Sequence, residues 1–212
     1  MKLKICGLKY PENISKVIAL KPDFIGFIFY PASKRYAGES LQPEFTWSIP
    51  ADIKKAGVFV NEPILSVLEH VARYNLDLVQ LHGNETAAYC EDISKLVPVI
   101  KAFQVNEQFD FSILNEYKQH CSYFLFDSAS EGFGGSGKKF DHQLLSKYKL
   151  NIPYFISGGI DKEDIPGLEQ SPAYAIDINS KFETEPGVKD IDKLRSTIDE
   201  VRLTITINPT KN

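Results

Sequence analysis

Phe24-Ile25-Gly26-Phe27-Ile28-Phe29 runs for six residues without a polar side chain, and Tyr123-Phe124-Leu125-Phe126 repeats the pattern before ending on Asp127. A strand with one wet face alternates apolar and polar residues, whereas these runs read as strands buried on both faces. Parallel sheets covered by helices bury both faces. Outward from these two, runs of strand length span Lys2–Cys6, Asp23–Phe29, Lys55–Val60, Leu76–Leu81, Val97–Phe103, Ser122–Asp127, Tyr154–Ser157 and Tyr174–Ile178. They recur at roughly 20 to 30 residues, with helical spacing between them.

The intervening segments carry helix starts. Pro11-Glu12 opens one, with Val17, Ile18 and Leu20 as its apolar positions, and Pro43 stands where a first turn tolerates proline. Asn61-Glu62-Pro63 is expected to cap another, with Ile64, Leu65, Leu68 and Val71 on one face. Asp161-Lys162-Glu163-Asp164 and Asp190-Ile191-Asp192 put acids into first turns, where the helix dipole favours them. Eight strand–helix units in 212 residues predict one α/β domain, a minimal (β/α)8 TIM barrel over residues 1–205, with 206–212 as a frayed tail. A doubly wound open sheet is the alternative. It often carries a Gly-rich first turn, and this chain has Cys6-Gly7-Leu8-Lys9 there.

The composition, 43% hydrophobic and 25% charged, excludes a disordered or fibrous chain. A net charge of −4 with scattered basic residues argues against a nucleic-acid partner, so an anionic substrate needs local positive groups. No apolar h-region follows Met1-Lys2, and the Phe24–Tyr30 stretch is too short to span a bilayer, so neither secretion nor a membrane is expected. Cys6, Cys90 and Cys121 have no metal-ligand spacing and cannot all pair, which suits a reducing cytoplasm and implies no metal.

In such a barrel the functional groups stand where strands end. Those ends carry Cys6, Tyr30 with Arg35 nearby, Asn61, Gln80 with His82, Asp127, Ser157-Gly158-Gly159, and Asp177 through Lys181. Ser157-Gly158-Gly159-Ile160-Asp161 follows the seventh strand, the usual phosphate position of this fold, and reads either as an anion cradle at a helix start or as a plain tight turn. Gly132-Phe133-Gly134-Gly135-Ser136-Gly137-Lys138 reads better as a glycine-hinged lid. Cys6 is either a small buried hydrophobe or a functional thiol, and Cys90 and Cys121 read as buried hydrophobes. Asp127 closes an apolar run. Burial there favours the protonated form that a general acid needs, with a cap to the following loop as the plain alternative. His82 either orients a substrate or holds its loop. The fork of Arg35 suits a carboxylate but also fits a surface charge.

Read together, these segments resemble the phosphoribosylanthranilate isomerase family of tryptophan biosynthesis. The resemblance is carried by Lys4-Ile5-Cys6-Gly7-Leu8, Gly26-Phe27-Ile28-Phe29-Tyr30-Pro31 with Ser33-Lys34-Arg35-Tyr36, and Gly57-Val58-Phe59-Val60-Asn61. It continues through Val79-Gln80-Leu81-His82-Gly83-Asn84-Glu85, Asp127 with Gly134-Gly135-Ser136-Gly137-Lys138 and Phe140-Asp141, Ser157-Gly158-Gly159, and Asp177 through Glu183. It implies a cofactor-free Amadori rearrangement of a small phosphorylated substrate, with Asp127 as general acid and Cys6 as general base. Arg35 would hold the anthranilate carboxylate, and Gln80, His82 and Asp177 would contact the substrate. Gly135, Gly158, Gly159, Asn179 and Ser180 would take the phosphate. A monomer is expected, with a dimer as the alternative.

Two departures stand out. The family has Ser-Ser-Gly-Val-Glu after the eighth strand, where this chain has Asn179-Ser180-Lys181-Phe182-Glu183. A lysine in a glycine's place implies a reshaped loop or an added charge contact. His142 stands where an aromatic is usual. Other readings of the same scaffold are another phosphosugar isomerase or epimerase, and a catalytically inactive binding barrel. The histidine-pathway enzymes pair aspartates at the first and fifth strand ends, where this chain has Cys6 and the run Val99-Ile100-Lys101-Ala102-Phe103.

Overall fold

A computed structural model of the chain describes residues 1–128, 142–168 and 171–207. Eight parallel strands close on themselves in chain order. They are β1 (Lys2–Ile5), β2 (Phe24–Ile28), β3 (Lys54–Phe59), β4 (Leu78–Leu81), β5 (Val99–Val105), β6 (Tyr123–Ser128), β7 (Tyr154–Ile156) and β8 (Ala175–Ile178). The ring is completed by β8 lying on β1, with Lys2 opposite Ala175 and Lys4 opposite Asp177. Every strand lies in or beside the expected run, so the barrel reading holds and the open sheet falls.

The crossovers are α1 (Pro11–Ile18), α2 (Pro43–Trp47), α3 (Ile64–Arg73), α4 (Ala87–Ser94), α5 (Leu114–Tyr117) and α6 (Ile165–Leu168), with a 3₁₀ turn at His142–Lys147 before β7. After β8 come a short antiparallel hairpin, β9 (Glu183–Glu185) and β10 (Val188–Lys189), and the closing helix α7 (Ile191–Ile207). Residues 206 and 207 of the expected tail thus lie in α7, and residues 208–212 fall outside the described residues. Pro11 and Pro43 occupy the first turns of α1 and α2 as their fixed φ allows. Two local expectations need correction at α3. Its N-cap is Pro63 with no side-chain cap bond, because Asn61 spends its Oδ1 on the backbone N–H of Asn84. Leu65 is exposed, and the inward stripe contains Val67 in its place, since 3.6-residue spacing carries positions 64, 67, 68 and 71 to one side.

Strand parity splits the apolar residues into two cores. Leu3, Ile5, Ile25, Phe27, Phe59, Val79, Leu81, Val99, Phe124, Phe126, Ile156 and Ile176 point outward under the helices. Phe24, Ala56, Leu78, Ile100, Leu125, Phe155 and Ala175 fill the barrel itself. Two residues further along the strands, the inward set changes chemistry: Lys4 and Cys6 follow on β1, Gln80 on β4, Asp127 on β6 and Asp177 on β8. Period-two alternation therefore sets a polar layer on an apolar floor at the C-terminal rim.

Candidate active site

A cavity opens at that rim. It is lined by Cys6, Tyr30, Arg35, Gln80, His82, Asp127, Ser157, Gly158, Gly159, Asp177, Asn179, Ser180 and Lys181, with Ile28, Val58 and Val60 as apolar wall. The catalytic, substrate and phosphate candidates within the described chain are all brought to this cavity, whereas Asn61 is not part of its lining and accepts the Asn84 backbone N–H at its Oδ1. Gly135, the lid segment Gly132–Lys138 and Phe140-Asp141 fall outside the described residues.

Cys6 is buried and unpaired. A Cβ added to Gly26 on the neighbouring strand would stand 2.7 Å from its Sγ, so the thiol takes the space a side chain would fill. Gly26→Ala is expected to displace the sulfur and lower kcat about 10²-fold while the barrel still unfolds cooperatively, checked by steady-state turnover beside a thermal melt. Burial pushes the Cys6 thiol up, the Lys4 ammonium opposes it, Asp177 adds to the rise and Lys189 counters it. The net direction is upward.

Asp127 is also buried. Its Oδ1 accepts the Ser128 backbone N–H at 2.8 Å, and its Oδ2 stands 3.3 Å from His82 Nε2. That last contact is too poorly aligned for a hydrogen bond, which leaves Nε2 buried without a partner. The other ring nitrogen, Nδ1, is fixed at 2.8 Å by the Gln80 amide. Gln80 in turn accepts from Lys4 Nζ at 2.8 Å, and Lys4 also donates to Asp177 Oδ2 at 2.9 Å. A hydrogen-bonded path thus runs from Asp177 on β8 through Lys4 and Gln80 to His82, with the Asp127 carboxylate on β6 3.3 Å beyond it. Among the described residues the buried side-chain atoms without a partner are His82 Nε2 and Asp177 Oδ1, in residues that line the cavity, and Ser128 Oγ, next to Asp127. Buried polar atoms without protein partners are rare in folded proteins.

Arg35 is no free surface charge. Its Nε lies 2.9 and 3.0 Å from the two carboxylate oxygens of Glu183, and its Nη2 donates to Oε2 at 2.6 Å. These bonds leave the rest of the five guanidinium donors for another acceptor. Glu183 is held also by Lys189, whose buried Nζ reaches Glu183 Oε1 and Asn179 Oδ1, each at 2.8 Å. Despite its burial, these two cations hold the Glu183 carboxyl below its usual range.

Ser157-Gly158-Gly159 follows β7 as expected, with φ of +99° at Gly158 and +63° at Gly159, a left-handed backbone that glycine adopts without cost. A Cβ on Gly158 would sit 2.7 Å from Ser128 N and 2.9 Å from Asp127 Oδ1, so the bend also lets this loop close against the acid. The chain then enters a 3₁₀ turn at Lys162–Asp164, capped reciprocally by Asp161 and Asp164, and passes into the four-residue α6. A helix that short supplies little dipole, and the expected helix-start contribution gives way to backbone N–H groups. Across the cavity, Ser180–Phe182 forms a 3₁₀ turn. Lys181 has no positive φ there, so the loop takes a lysine without strain.

The charged partners were hidden from sequence reading. Lys4, Lys101 and Lys189 are buried cations in short strands, and Lys101 pairs with Glu85 at 3.1 Å while its Nζ also meets the Gly83 carbonyl at 2.8 Å. That anchors the loop carrying His82. The available signal was a lone lysine inside an apolar strand, as in Val99-Ile100-Lys101-Ala102-Phe103. Cys90 and Cys121 are buried together in the outer core, as a structural role requires. Among the described residues no His, Cys, Asp or Glu cluster is arranged to hold a metal, and no helix is long and apolar enough to cross a membrane.

Residues 3–200 match the family model described as N-(5'phosphoribosyl)anthranilate (PRA) isomerase. The N-(5'-phosphoribosyl)anthranilate isomerase of Parabacteroides distasonis is 44% identical over 206 residues, covering 95% of this chain and 93% of that one. The crystal structure of phosphoribosyl anthranilate isomerase from Thermotoga maritima superposes with a TM-score of 0.84 at 32% identity, covering 95% of this chain and 98% of that one. A further isomerase structure, solved in complex with reduced 1-(o-carboxyphenylamino)-1-deoxyribulose 5-phosphate, reaches a TM-score of 0.80 at 29% identity, with 95% and 98% coverage.

Proposed function

The chain belongs to the N-(5'-phosphoribosyl)anthranilate isomerase family, and we propose that it carries out the family's reaction with Asp127 as general acid and Cys6 as general base. The reaction is the Amadori rearrangement of N-(5-phosphoribosyl)anthranilate to 1-(2-carboxyphenylamino)-1-deoxyribulose 5-phosphate in tryptophan biosynthesis. Asp127 protonates the furanose ring oxygen, the C1–O bond breaks, and the anilino nitrogen lone pair closes the C1=N iminium. Cys6 then removes the C2 proton, and the C2–H electrons form the C1=C2 bond of the enolamine while the iminium nitrogen is neutralised. Tautomerisation to the C2 ketone completes the step. No external oxidant or cofactor enters this balance.

The observation that carries this assignment is the convergence of a buried thiol and a buried carboxylate, from opposite sides of the barrel, on one cavity with a glycine cradle between them. Gly158, Gly159, Asn179 and Ser180 are read as the phosphate end, and Arg35, steadied by Glu183, as the carboxylate end. Gln80, His82 and Asp177 border the sugar between them, with His82 beside the acid and Asp177 behind the base. Conversion of the anthranilate ribosyl phosphate by the purified chain, together with complementation of a strain lacking this step, tests the reading. Failure of both would sink it.

The phosphate end has its own test at Lys181, which is exposed beside Ser180 on the cavity wall. A partly solvated charge contact is worth ~1 kcal/mol, so Lys181→Gly is expected to raise KM about fivefold while kcat stays within about twofold. Equal loss in kcat and kcat/KM would remove Lys181 from ground-state phosphate binding. The three unpaired thiols suit a reducing cytoplasm, and the chain is read as a monomer. A dimer, the state given for a Thermotoga maritima relative, is the alternative.

A further inference from the structure

Lys4 is fully buried inside the barrel, two residues before Cys6 on the same strand face, and no step assigned above uses it. A cation stripped of water needs partners, and a methionine of similar length would pack there without them. Lys4 Nζ spends two of its three donors on Asp177 Oδ2 at 2.9 Å and Gln80 Oε1 at 2.8 Å. The next inward side chain after Lys4 is the Cys6 thiol, buried two residues further along, and the charge of each group acts on the other. The two anchors come from β8 and β4, so the ammonium is tied from two sides of the barrel, one inward position before Cys6.

We propose that Lys4 is the positioning residue of the base: held by Asp177 and Gln80, its ammonium is the fixed counter-charge against which Cys6 forms its thiolate. The proposal rests on Cys6 being the base. A thiol takes a proton from carbon only as the thiolate, and an anion made in a dry barrel without a counter-charge is strongly disfavoured. Among the described residues, the other charged groups acting on the sulfur are Asp177 from β8 and Lys189 from β10. Lys189 is committed to Glu183 and Asn179. Asp177 works against the thiolate and in turn faces Asp127 and His82. On the remaining neighbouring strand, β2, Gly26 meets the sulfur and brings no charge. Lys4 is therefore the cation able to serve the thiol.

The test uses the full chain and the pH dependence of kcat/KM, whose ascending limb reports the ionisation of the free base. In Lys4→Met the limb should move up by about one to three pH units, so that activity lost at neutral pH is regained as pH rises. Asp177→Asn keeps an acceptor for Lys4 but removes the negative charge facing the sulfur, and its limb should move down. Opposite displacements are the signature expected. A lysine that merely fills space would lower the rate by one factor at every pH, and an unmoved limb in both variants overturns the proposal. A second measurement is independent of the substrate. In a Cys90→Ala/Cys121→Ala background Cys6 is the sole thiol, and its thiolate absorbance can be titrated with and without Lys4→Met. Coincident curves overturn the Lys4 proposal whatever the enzyme acts on. An inactive background protein whose thiol titration still shifts would overturn the isomerase reading alone. If Lys4→Met does not fold, the downward limb of Asp177→Asn decides.

Discussion

Cys6→Ala is expected to lower kcat by about 10²–10⁴-fold with little change in KM, because on the proposed assignment it deletes the group that takes the C2 proton and touches neither end of the substrate site. Steady-state kinetics at saturating substrate would measure it. Cys6→Ser sharpens the expectation. Serine keeps the size that the space beside Gly26 admits, but its hydroxyl ionises far less readily than a thiol. The serine variant should therefore fold, bind and still fail to turn over. A loss below about tenfold in both variants would mean that the proton leaves to another base, and the roles of Lys4 and Asp177 would fall with it.

Asp127→Asn should cost a similar factor, about 10²–10⁴ in kcat, for a different reason. The amide can still accept the Ser128 N–H that fixes the side chain at 2.8 Å, so the loop after β6 keeps its anchor. It cannot deliver a proton to the ring oxygen. The defect should persist at every pH, in contrast to a variant that only displaces the ionisation of the base, and a pH series of kcat separates the two. His82 stands 3.3 Å from the acid and keeps an unpartnered Nε2. If Asp127→Asn retained activity within about tenfold of the parent, that imidazole would be the next candidate for the acid.

Much of this was legible in the chain before any coordinates. The unbroken apolar runs at Phe24–Phe29 and Tyr123–Phe126 identify strands covered on both faces, and those strands are found. Cys6, Gln80, His82, Asp127, Ser157-Gly158-Gly159 and Asp177 through Lys181 were readable as strand-end residues, because where a strand ends is a local property and the barrel rule then puts those ends on one rim. Leu65 shows the limit of local reading. The chain alone cannot choose which side of an apolar-rich helix meets the barrel, and the structure turned Leu65 outward and Val67 inward.

The strand runs, the parity that separates inward from outward side chains, and the residue types at the rim are all written into the order of residues along the chain. These depend on neighbours along the chain, through the two-residue strand period and the cost of leaving apolar groups in water. Which charges answer one another is settled by folding alone. Lys4 meets Gln80 from 76 residues away and Asp177 from 173, and Arg35 meets Glu183 from 148. Such pairs exist because ring closure brings β8 onto β1 and β4 across the barrel from it. Burial then obliges each charge to find a partner within hydrogen-bond reach, and no local pattern states which one.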